Sequence, residues 1–71
     1  MNKKIELITH LDEQDLQATL YEAVDGTWEM VISATVNGQT NDIDISQHET
    51  RFDAIRYLKK MFDVRWEPIA L

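Results

Sequence analysis

The run from Trp28 to Val36 narrows the fold more than any other stretch of the chain. Trp28, Met30, Ile32, Ala34 and Val36 alternate with Glu29, Val31, Ser33 and Thr35. A period of two, rich in β-branched and aromatic residues, is the pattern of a strand with one buried face. A turn signal flanks it on each side, Asp25-Gly26 before and Asn37-Gly38 after. Both pairs suit the positive backbone φ of tight hairpins. The run therefore pairs antiparallel with the segment before it and the segment after it.

The two hairpins also carry register information. Leu16, Ala18 and Leu20 alternate with Gln17, Thr19 and Tyr21. A two-residue turn at Asp25-Gly26 would set Glu22 against Glu29 and turn Leu16 and Leu20 away from Trp28. A three-residue loop, Val24-Asp25-Gly26, with a left-handed Gly26, removes both faults. It predicts Leu20 opposite Met30, Ala18 opposite Ile32 and Leu16 opposite Ala34. A two-residue loop at Asn37-Gly38 predicts Ile43 opposite Ile32 and Ile45 opposite Met30. Both isoleucines would then join the buried face, with Asp42 and Asp44 on the other side.

Residues 4–11 fit two patterns, since Ile5, Ile8 and Leu11 make a helical stripe while Ile5, Leu7 and Leu11 suit a strand. A helix here would hold Lys3 and Lys4 at its positive end and Asp12, Glu13 and Asp15 at its negative end. The strand is preferred. A four-residue turn at Asp12 to Asp15 then predicts Leu7 opposite Leu20 and Leu11 opposite Leu16.

The period changes at Thr50. Ala54, Ile55, Leu58, Met61 and Phe62 form a helical stripe, with Asp53, Arg56, Lys60 and Asp63 opposite. Two capping boxes compete for the start, Ser46 with Glu49 and Thr50 with Asp53. Pro68 ends helix formation, and Trp66, Ile69 and Leu71 predict a docked tail. The expected architecture is α+β: an antiparallel β-meander of three or four strands with one C-terminal helix packed on one face. The 71 residues make one small domain, 1–71, with the sheet over 4–46, the helix over about 50–62 and the tail over 64–71.

Catalytic chemistry finds few carriers. The chain has no cysteine. His10 and His48 are its two histidines, and neither stands in a nucleophile motif. Gly26 and Gly38 are its only glycines, both spent on turns, so no phosphate loop exists. Asp42, Asp44 and His48 are the nearest approach to a metal site, but the segment lacks the glycine and distal glutamate of a calcium loop. No catalytic residue, metal or cofactor is expected, and the expectation is a protein that is not an enzyme. Glu6, Thr9 and His10 break the apolar start, so no signal-peptide core is read there. With no disulfide and no membrane-length apolar run, a reducing cytoplasmic setting is expected.

Charge is segregated along the chain. No lysine or arginine lies between Ile5 and Thr50, a stretch that holds ten acids. Lys3, Lys4, Arg51, Arg56, Lys59, Lys60 and Arg65 supply all the basic charge, and the net is −6. An acidic sheet face repels phosphates, which argues against direct nucleic-acid binding. The expected function is a small acidic protein-interaction module, self-associating through a sheet edge or the outer sheet face. The alternative is an acidic inhibitor that mimics nucleic acid and binds a basic nucleic-acid-binding protein. Tyr21, Glu29, Val31, Asp42, Asp44 and Trp66 are the candidate partner-binding residues, joined by Ile8 if residues 4–11 form a strand. No membrane contact is expected.

Overall fold

A computed structural model describes residues 3–69. Among them the order is β1 (Lys4–Leu11), β2 (Gln14–Glu22), β3 (Trp28–Val36), β4 (Gln39–His48), α1 (Arg51–Met61) and β5 (Glu67–Pro68). The strands form one antiparallel sheet in the spatial order β4-β3-β2-β1-β5. Residues 4–11 are strand, as charge placement suggests. The fifth strand was not expected: the tail docks as a short edge strand beside β1, and the Ile69 N–H donates to the Glu6 carbonyl at 3.0 Å. Leu71 lies outside the described residues.

The first turn is tighter than predicted. Leu11 pairs with Gln14, so the loop is the two residues Asp12 and Glu13, and Asp12 takes the positive φ of 57°. Leu7 therefore faces Ala18 and Ile5 faces Leu20, a register two residues from the predicted one. A slip of two keeps every side chain on its face, so the core set survives the error.

The second hairpin follows the three-residue loop. Leu16 faces Ala34, Ala18 faces Ile32 and Leu20 faces Met30. Ala23 and Thr27 close the loop through a backbone bond of 2.8 Å, and Gly26 has φ 88°. The Asp25 carboxylate accepts from the Thr27 hydroxyl at 2.6 Å and from its N–H at 3.0 Å. Those two bonds, the hydroxyl first, hold the Asp25 carboxyl below its ordinary pKa.

The third hairpin departs from prediction. Asn37 (φ 53°) and Gly38 (φ 79°) make the expected two-residue turn, and the ladder runs regularly to Ser33 opposite Asp42. There a bulge intervenes, Ile43 is left unpaired, and Ile32 faces Asp44. Every later β4 residue is thereby reversed: Ile45 faces Val31, Ser46 faces Met30 and His48 faces Trp28. The isoleucines do not enter the core; Ile43 is 47% and Ile45 65% exposed. Asp44, expected on the outer face, instead lies on the helix side and accepts from the Tyr57 hydroxyl at 3.0 Å.

The core is made by Leu16, Ala18, Leu20, Trp28, Met30 and Ile32 of the sheet with Ala54 and Leu58 of the helix. Thr50, not Ser46, caps α1: its hydroxyl accepts from the Asp53 N–H at 3.1 Å. The helix lies over β2, β3 and β4. The tail covers the rest, and the buried Thr9 donates to the Arg65 carbonyl at 2.8 Å. Ile55, Phe62 and Trp66 pack against this core, whereas Met61, predicted on the same stripe, is 42% exposed. No helix among the described residues is long and apolar enough to cross a membrane.

Candidate functional site

Helix and tail occupy one face of the sheet, and among the described residues nothing covers the other. That open face is built by the alternation opposite to the core. Met30 and Ile32 are fully buried, so Glu29, Val31, Ser33 and Thr35 point the other way. Register then assembles the face row by row. Ile45, Val31, Thr19 and Glu6 form one row across β4, β3, β2 and β1. Gln47, Glu29, Tyr21 and Lys4 form the row on one side of it, and Asp42, Ser33, Gln17 and Ile8 the row on the other.

The candidate residues divide on this geometry. Tyr21, Glu29, Val31 and Asp42 share the open face with Ile8. Asp44 and Trp66 do not. The carboxylate of Asp44 is engaged by Tyr57, and this bond is the main reason the Tyr57 hydroxyl has a raised pKa. Beside it the His48 ring stacks at a tilt on Tyr57, with centroids 4.9 Å apart, and its Nε2 lies 2.8 Å from the Ser46 hydroxyl. Trp66, in the tail, packs against the core and lies edge-on to Phe62 at 6.3 Å, and its buried Nε1–H has no partner among the described residues. It lines a groove of about 480 Å³ with Leu7, Ile55, Leu58 and Val64, and Lys59 and Asp63 stand at the rim.

Electrostatics differ between the two ends of the open face. At the β1 corner Lys4 bonds Glu6 at 3.0 Å and lies 5.6 Å from the Tyr21 ring centroid. The bond to Glu6, ahead of the carboxylate's field, raises the Lys4 pKa. His10 and Asp15 pair through Nδ1 and Oδ1. At this end of the open face Glu6 is thus paired with Lys4, and Asp15 with the His10 ring. In the β3–β4 half, Glu29 and Asp42 have no ion-pair partner among the described residues. They bracket the apolar pair Val31 and Ile45.

Ile45 escaped the sequence reading because the Asn37-Gly38 turn was extrapolated past Ile43. No glycine or proline marks the bulge. Phe52 was missed as well. It is 67% exposed, one turn before Arg56 and off the Ala54–Leu58 stripe, a position readable from the helical period. Among the described residues no three His, Asp or Glu side chains gather as a metal site. Asp42 lies on the face opposite Asp44 and His48. No family model matches the chain, and no curated protein or solved structure matches it.

Proposed function

We propose that this protein is a small, acidic, non-catalytic interaction module whose working surface is the open sheet face. One observation carries the reading. The five-stranded sheet has a helix on one side only, and its other side presents the adjacent pair Val31 and Ile45, with Tyr21 diagonal to Val31 and Ile8 two strands away, among polar side chains. Apolar groups ringed by polar ones are how docking surfaces are composed. The edges suit docking less. β5 is two residues long and ends in Pro68, while β4 is bulged and carries Asp42 and Asp44. Short, bulged, proline-bearing or charged edges resist strand addition.

Paired affinity capture from the native host tests this. The wild-type chain and a Val31→Asp/Ile45→Asp variant serve as baits, with circular dichroism checking that both fold. A partner is expected with the wild type and lost with the variant. Equal recovery with both would remove the open face from the function.

Glu29 and Asp42 support a second reading on the same face, since their unpaired carboxylates flank a flat surface as phosphates flank a groove. On that reading the partner is a basic nucleic-acid-binding protein. Its capture would fail with Glu29→Gln/Asp42→Asn and would weaken steeply with salt.

A further inference from the structure

We infer that the open sheet face of one copy receives the outward face of α1 from a second copy, so that the protein assembles head to tail. This rests on the reading of the sheet face as a docking surface and names its occupant.

The two faces complement each other in apolar content and charge. On α1, Phe52, Arg56, Lys59 and Lys60 lie on the side away from the buried Ala54 and Leu58. Arg56 is opposed by Asp53 across 3.7 Å, and Lys59 and Lys60 have no ion-pair partner among the described residues. The face is basic, with one aromatic ring standing from it. The β3–β4 half of the sheet is its counterpart, acidic at Glu29 and Asp42 with Val31 and Ile45 between them. Phe52 and Ile45 are the two most exposed large apolar side chains within helices or strands. They lie on opposite sides of the molecule, so one chain cannot cover one with the other.

Spacing fits as well. Phe52 and Arg56 are one helical turn apart, about 6 Å. Val31 and Glu29 are two strand residues apart, about 7 Å. A Phe52 ring laid on Val31 and Ile45 brings Arg56 to Glu29. In the same pose Arg51, whose guanidinium lies 5.3 Å from the Phe52 ring centroid, falls on the Asp42 side. A sheet with one bare face is completed by a helix layer, and here a neighbouring copy supplies it. Because the two surfaces differ, the contact is heterologous and repeats from copy to copy instead of closing as a two-fold dimer.

Two charge-reversal variants separate the faces. Glu29→Lys/Asp42→Lys spoils the sheet face and leaves the helix face intact; Arg56→Glu/Lys60→Glu does the converse. Sedimentation velocity at rising concentration, with melting curves to verify folding, gives the answer. The wild type is expected to grow past the dimer, less so at high salt. Each variant alone is expected to associate about tenfold more weakly or worse, since it keeps one good face. An equimolar mixture of the two should grow past the dimer again, because the intact pair of faces attracts and so does the reversed pair, lysines on the sheet against glutamates on the helix. A wild type that stays monomeric at millimolar concentration would overturn the inference, as would folded variants that do not combine, or either variant alone associating as tightly as the wild type. A monomeric wild type leaves the open face free for a different protein, which the paired capture reads separately.

Discussion

At the residue scale the most informative side chain is Asp44. The sequence places it in an Asp-Ile-Asp-Ile alternation, and alternation from the Asn37-Gly38 turn sends its carboxylate outward. The bulge at Ile43 turns it to the helix side, where Tyr57 donates to it. The bond favours the protonated phenol, so the folded pKa of Tyr57 lies above its ordinary value of 10.0. A raised pKa contributes stability that is fully present below the unfolded value and is lost as pH rises through the folded one. Asp44→Asn is therefore expected to lower the pH at which the Tyr57 phenol ionises, followed by phenolate absorbance in a Tyr21→Phe background. It should also flatten the fall in stability above pH 10. An unchanged titration would mean that Asp44 does not face Tyr57.

At the element scale, burial separates residues that look alike in sequence. Leu58 and Ile45 each sit in an amphipathic pattern, yet Leu58 is sealed beneath the sheet and Ile45 stands in solvent. Leu58→Ala is expected to cost about 3 kcal/mol through lost burial and a residual cavity. That is a large share of the stability of a domain this small. Ile45→Ala should stay within about 0.5 kcal/mol, as substitutions on open surface do. Urea unfolding of the two variants checks the pair, and equal losses would place Ile45 in the core. The elements that sequence made legible are those marked by local chemistry. Asp25-Gly26 gave loop length and register together, because only the three-residue loop avoids Glu22 against Glu29. Thr50 and the 3.6-residue stripe marked α1. The edge strand β5 carried no such mark, since two residues beside a proline resemble any loop. The bulge carried none either; beyond it β4 meets the helix through Tyr57, which donates to Asp44 and stacks on His48.

Across the whole molecule, chain order becomes spatial polarity. The basic-free stretch from Ile5 to Thr50 supplies almost all of the sheet, and α1 and the tail carry most of the cations. Packing the helix on one face of the sheet therefore puts opposite charge on opposite sides. The acidic and basic segments were legible from sequence, as were Tyr21, Glu29, Val31 and Asp42 as members of one outward face. The partnership of Ile45 with Val31 was not, and the candidate docking surface depends on it. Methyl-resolved nuclear Overhauser spectra of the protein in solution test that pairing most directly. Cross-peaks from Ile45 to Val31, with none from Ile45 to Met30, are the result predicted. Cross-peaks from Ile45 to Met30 together with Ile43 to Ile32 would restore the unbulged ladder and contradict the open face described above.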